Sequence, residues 1–383
     1  MLSWAKTPAQ IMLARLIRRD SVTLGRRWDA GSCMTGSLRR TTFAKVNLGD
    51  PFFDSLKAQY KEFSDWFKKK ATENVYVIDG PKGAIRGFLY LKREDDPIDD
   101  VTPPLPALPR LKVGTLKVEA KGTKIGERIL KRIFDEAIDA EVEEIYVTVF
   151  DTHDRLIKLF ERYGFKARGS KQTPNGTELV LVRSLTDHAG DPIKEFPLVR
   201  TKNARKYLLA IHPPWHTELF ADSILKTEDP AIVKDVAHSN TIHKVYVSGL
   251  TLTRMAPGDM VIIYRTTDIL GRAKYRSVAT SLCVVEEVKR RSDFADADAF
   301  VAFAEPHSVF PEQELRDRFA SGQKLYAVRM TYNAAFKKRI IRSTLLSGVG
   351  ISEHPRWDLR ELTNPQFQKI LKLGGVNEAL VID

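Results

Sequence analysis

The sequence predicts two folded units in tandem, an α/β domain followed by a mainly-β domain. Three observations predict this. At 383 residues the chain exceeds one ordinary domain, since each takes roughly 100–200 residues. Residues 50–185 mix helix-period and strand-period apolar runs, and beyond residue 200 the strand-like runs dominate. The expected division is a basic extension (1–45), an α/β domain (46–185), a linker (186–199) around Asp191-Pro192, and a final unit (200–383) with a C-terminal helical tail. With 43% hydrophobic and 29% charged residues the make-up is that of a soluble globular chain. No run of about 18 apolar residues predicts a membrane-spanning helix. Cys33 and Cys283 lie far apart with no metal-type spacing, so neither a disulfide framework nor a zinc site is expected, and a reducing cytoplasm fits.

Residues 1–45 hold nine Lys or Arg, two Asp and no Glu, so +7 of the +12 formal charge sits there. Such an acid-poor segment reads as a transit peptide, a nucleic-acid arm or an upstream extension ahead of a start at Met34. From Asp50, an N-cap with Pro51 at N1, Phe52, Leu56, Tyr60, Phe63 and Phe67 recur at helical spacing over PFFDSLKAQYKEFSDWFKKKA. NVYVID (74–79) and IRGFLYLKRE (85–94) read as a hairpin around Gly80, Pro81 and Gly83. The acidic, proline-rich 95–109 reads as an exposed insertion. A strand (110–120) then leads through KGTK into an amphipathic helix whose apolar line is Ile125, Ile129, Ile133 and Ala137. A strand (143–150), a helix (154–165) ending at Gly164, and a hairpin around Pro174, Asn175 and Gly176 close the domain.

The clearest chemistry lies in Lys117–Glu127, KVEAKGTKIGE. Unpaired N–H groups and the positive dipole end of a helix N-terminus suit a pyrophosphate. Gly122 and Gly126 allow close approach, and Lys121 and Lys124 add charge. Residues 43–185, through this element order, this turn and the RYGF ending, resemble a GNAT-family N-acetyltransferase domain. The family's turn carries Arg or Gln, two residues, Gly, one residue, then Gly or Ala. Lys121, Lys124 and Gly126 occupy those positions, and only Gly126 matches strictly. The resemblance implies acetyl-CoA as cofactor, held by N–H groups of Lys121, Gly122, Thr123, Lys124, Ile125 and Gly126, with backbone groups of Val118 and Ala120 along the pantetheine arm. The family's acid, a tyrosine, is replaced by Phe160, which has no proton to donate. Tyr163, one turn away, is the alternative acid, and Glu119 the candidate base. His153 and Asp151 follow a strand where they could border an acceptor cleft.

In the second unit, ARKYLLAI (204–211), HKVYVSGL (243–250), GDMVIIYRT (258–266) and YRSVATSLCVVEEV (275–288) read as strands, with helices at 219–225, 294–304 and 311–319. Their order and the GD-strand-YR pattern resemble ASCH/PUA-like domains, small mixed β-barrels associated with RNA. Lys244, Tyr246, Tyr264, Arg265 and Arg276 mix cations with aromatics, the combination that holds phosphates and stacks bases. Lys337, Lys338, Arg339 and Arg342 make a second basic stripe. His212, His216 and His243 are expected as cap or surface residues, and no metal is expected. Joined, the two resemblances imply an acetyl-CoA-dependent N-acetyltransferase acting on an RNA-linked amine such as aminoacyl-tRNA, as in toxins that pair with an antitoxin protein. The alternatives are a protein N-acetyltransferase anchored to a ribonucleoprotein, and a non-catalytic CoA-sensing RNA-binding regulator. Oligomeric state is left open.

Overall fold

A computed structural model describes residues 38–80, 83–119, 125–187, 190–220, 223, 241–269 and 271–382. The first unit is built on a seven-stranded sheet: β1 (Leu38–Thr42), β2 (Asn74–Asp79), β3 (Ile85–Glu94), β4 (Arg110–Val118), β5 (Glu144–Phe150), β6 (Lys166–Thr173) and β7 (Gly176–Ser184), in the spatial order β1-β2-β3-β4-β5-β7-β6. Only β4 and β5 pair in parallel, and the crossover between them is α3 (Ile125–Asp139). That helix and α4 (Asp154–Arg162) pack on one face, where Ile129, Ile133, Phe134 and Phe160 are fully buried.

The other face is covered by α1 (Asp54–Gln59) and α2 (Phe63–Lys69). One continuous helix was expected here, and Asp50 does cap the start through its side chain and Phe52 N–H, 2.9 Å. The chain then breaks at Tyr60, which adopts extended backbone (φ −124°, ψ 103°). The break sends the Tyr60 phenol toward Glu178 on β7, 2.8 Å away. Residues 38–45 also depart from the expected extension. β1 pairs with β2, and Phe43 fills an aromatic core against Trp66, Phe67, Phe88 and Tyr90. The 95–109 insertion is not simply exposed: Ile98 and Val101 bury against Tyr146, Val180 and Val182, and Thr102 bridges to Ser170.

The second unit holds β9 (Lys206–Ile211), β10 (His243–Ser248), β11 (Met260–Arg265), β12 (Val278–Arg290), β13 (Tyr326–Ile341) and β14 (Leu359–Leu362) in the order β10-β13-β12-β11-β9-β14. It is a mixed sheet with helices inserted between strands, and among the described residues its edge strands β10 and β14 do not pair with each other. β13, sixteen residues long and central, replaces part of the expected helical tail. Helices α5 (Pro213–Leu219), α6 (Ala273–Arg276), α7 (Ala297–Ala304), α8 (Glu312–Ala320), α9 (Arg342–Ser347) and α10 (Asn364–Gly374) complete it. Most of the helix expected at 219–225 lies outside the described residues.

The expected linker is structural. Phe196, Leu198 and Val199 are buried, and Phe196 meets Phe134 edge-on at 5.4 Å. β8 (Val199–Arg200) pairs with β15 (Val381–Ile382). Apolar residues of both units form one contiguous core from Tyr76 to Leu380. Among the described residues no helix is long and apolar enough to cross a membrane.

Candidate functional site

The site arises where two parallel strands part. β4 pairs with β5 from Arg110–Glu144 to Val113–Val147 and no further, while β5 continues along β7 to Phe150 and β4 along β3 to Val118. The divergence coincides with a β-bulge: Tyr90 faces Thr115 and Leu91 faces Val113, leaving Gly114 as the extra residue. A Cβ at Gly114 would sit 2.7 Å from Cδ1 of Tyr90, so the bulge needs glycine at that close approach. Past the bulge, β4 has an edge with no strand partner among the described residues, and Thr115 and Leu116 on it border a cleft of about 510 Å³.

Two groups of titratable side chains line this cleft. On its α1–α2 side, Glu178 is only 5% exposed and accepts the Tyr60 hydroxyl. Burial first, and then that hydrogen bond, push the Tyr60 phenol well above its ordinary range, so it stays a donor. Asn175 donates to Glu62 at 3.1 Å nearby, and His153 adds an imidazole. The second group lies toward the start of β4. Glu94 is approached by Lys92 at 2.8 Å and Lys112 at 3.7 Å and also accepts from Tyr146. Burial raises the Glu94 carboxyl, but these hydrogen bonds and the lysine charges together hold it below its ordinary value. Burial also lowers Lys112, an effect partly offset by Glu94.

This arrangement differs from the expected one. Ala120, Lys121, Gly122, Thr123 and Lys124 lie outside the described residues. Val118 ends β4, and Ile125 and Gly126 open α3, where a Cβ on Gly126 would come within 3.1 Å of Leu159 on α4. The expected turn itself lies outside the described residues, between the end of β4 and the start of α3. Glu119 is exposed at the tip of β4, its N–H bonded to Arg86, and does not line the cleft. Tyr163 is fully buried, with its hydroxyl 2.9 Å from His243 Nε2 of the second unit. It therefore cannot serve the cleft as an acid, because its proton is committed in the core. Of the two residues expected to border the acceptor site, His153 lines the cleft and Asp151 does not. Glu178 and Tyr60 were missed. The available signal was a carboxylate in TELVLV sharing the strand face of Val180 and Val182.

The basic-aromatic set of the second unit is corrected too. Lys244, Tyr246, Tyr264 and Arg265 lie on β10 and β11 as expected but are buried, with Arg265 4% exposed. Their side chains are covered by packed neighbours, Lys244 by the rings of Phe220 and Tyr332 and Tyr264 by Trp357, so no exposed stacking edge forms from them. Arg276 is half-exposed and paired with Asp268 at 2.6 Å. In the second basic stripe, Lys337 pairs with Asp139 and Arg342 with Glu353. His216 and His243 are buried rather than superficial, and burial lowers His216 to about 3. Among the described residues no group of three metal-ligating side chains exists.

No protein-family model matches the sequence, and no curated protein matches it. Among the solved structures similar to it are two kinds that cover different parts of the chain. An ASCH protein from Zymomonas mobilis is 15% identical, covering 44% of this chain and 94% of its own, with a TM-score of 0.31. A GNAT family acetyltransferase from Elizabethkingia anophelis, solved with acetyl-CoA bound, is 14% identical, covering 39% of this chain and 97% of its own, with a TM-score of 0.29. The NatC complex bound to Gag peptide and CoA is 16% identical, covering 39% and 99%, with a TM-score of 0.28.

Proposed function

We propose that this chain is an acetyl-CoA-dependent N-acetyltransferase whose acceptor amine enters the cleft between β4 and β5. The observation that carries this reading is the parting of the two strands at the Gly114 bulge, which opens a cleft lined by apolar side chains and a few titratable groups, Glu178 among them. Acetyl-CoA, when bound, supplies a thioester whose carbonyl carbon is the electrophile and whose thiolate is the leaving group. The unpartnered edge of β4 offers backbone groups to an extended chain lying along it. Glu178 is the group placed to accept a proton from the attacking amine, and the Tyr60 hydroxyl orients that carboxylate. Phe160 is buried in the core, so the leaving thiolate takes its proton from water. Holding both reactants in one groove supplies much of the acceleration.

The finer reading is that the amine belongs to an RNA-linked acceptor such as aminoacyl-tRNA. It rests on the sequence resemblance of the second unit and not on the buried residues named above. The protein-amine acceptor is its rival. Incubation with radiolabelled acetyl-CoA, aminoacylated tRNA and a protein lysate decides among them by where label appears. Label in neither fraction above a Gly126→Trp control would sink the transferase reading. Glu178→Gln is expected to lower kcat by roughly 10²–10⁴-fold with the acetyl-CoA KM unchanged, and an unaltered kcat would remove Glu178 as the base.

A further inference from the structure

The lysines of the cleft point to the chemistry of the acceptor, an inference that rests on the transferase reading above. Lys92 on β3, Lys112 on β4 and Lys171 on β6 all line the cavity. Lys171 reaches across to Asp100 in the 95–109 segment, which wraps over β5 and β7 to place that carboxylate there. The lysines therefore gather around two carboxylates, Glu94 and Asp100. Glu94 is already engaged by Lys92 at 2.8 Å and by the Tyr146 hydroxyl. Lys112 is left with a 3.7 Å ion pair to that shared carboxylate and the face of the Tyr146 ring at 5.3 Å. Its side chain is only 26% exposed. An ammonium held this way in a cleft wall is short of acceptors, since it carries three donors.

Lys92 and Lys112 sit at a different level of the sheet from Glu178, whereas Lys171 pairs in register with Glu178. Lys112 is level with Tyr146, and Glu178 is level with Phe150. Four strand residues separate those levels, on the order of 13 Å at about 3.3 Å per residue. The cleft thus has Glu178, the Tyr60 phenol and Lys171 with its partner Asp100 toward one end. At the other, Lys92 and Lys112 surround the single carboxylate of Glu94, an excess of one positive charge there.

We propose that the acceptor amine also carries an anionic group, a carboxylate or a phosphate, which docks on Lys92 and Lys112 while the amine lies toward Glu178. A free amino acid, a phosphorylated amine and an aminoacylated RNA end share this chemistry. A simple polyamine lacks it. The lowered proton affinity of Lys112 agrees with a site that awaits an anion.

The test is equilibrium binding to the full chain of matched pairs: phosphoethanolamine against ethanolamine, and glycine against glycinamide, each with and without saturating CoA. The anionic member of at least one pair is expected to bind tenfold or more tightly, and the pair that responds separates phosphate from carboxylate. Lys112→Met is expected to reduce that preference at least fivefold while CoA binding is unchanged. Lys112→Arg, which keeps the charge, restores it. The proposal is overturned if no anionic probe outbinds its neutral partner, absence of binding included, or if the preference survives Lys112→Met. Failure of CoA to bind would instead sink the transferase reading, because the pairs are also read without it.

Discussion

The hydroxyl of Tyr163 and the ring of His243 form a polar contact between the two units, 2.9 Å long. Arg162 Nη2 approaches His243 Nε2 at 3.1 Å, and guanidinium groups only donate, so Nε2 is the acceptor and Tyr163 donates to it. Nδ1–H then donates to Glu286 at 2.6 Å. This contact makes Tyr163 a clamp residue between the two units. Tyr163→Phe is expected to cost about 1 kcal/mol of stability, read by urea denaturation, while acetyl transfer stays within a few-fold of wild type. A hundredfold fall in kcat without loss of stability would restore the acid role. The residue identities at this spot were legible in RYGF, but what Tyr163 bonds to was not, because its partner lies 80 positions away.

Among the elements, α4 shows how one glycine fixes the route of the chain. Gly164 adopts φ +83°, the left-handed cap conformation, and a Cβ there would fall 2.3 Å from the carbonyl oxygen of Lys194. The helix can end only where the 190–199 segment crosses it closely. Gly164→Ala is therefore expected to destabilise by more than the roughly 1 kcal/mol of a strained left-handed alanine, with about 1–3 kcal/mol added by overpacking. Thermal unfolding checks this, and an unshifted Tm would mean that the crossing segment yields. Elsewhere the local signals were strong: β2 and β3 fall on NVYVID and IRGFLYLKRE. β13 was not legible, because Thr331, Asn333, Lys337 and Lys338 interrupt its apolar pattern. Pairing with β10 on one side and β12 on the other makes that segment a strand. The buried Asn333 amide donates to Pro197, a bond no sequence window of strand length contains.

For the whole molecule, the decisive feature is that the two units share one apolar core. Asn377 donates to Ile138, Lys337 pairs with Asp139, and Lys131 of α3 sits over the Tyr332 ring of β13. Two units joined this way should unfold together. A single calorimetric transition is expected, with equal van't Hoff and calorimetric enthalpies, and two resolved transitions would show independent domains. The same packing explains why the basic residues of the second unit turned out to be interior. Composition records a charge but not the side of a sheet it faces once both faces are covered. The sequence by itself determined most strands and helices of the first unit and the caps at Asp50 and Gly164, since each depends on residues near one another in the chain. Only the tertiary structure decided where the cleft lies and what lines it. Tyr60, Lys112 and Glu178 are far apart in sequence and line one cleft because β4 and β5 part at a single bulged glycine.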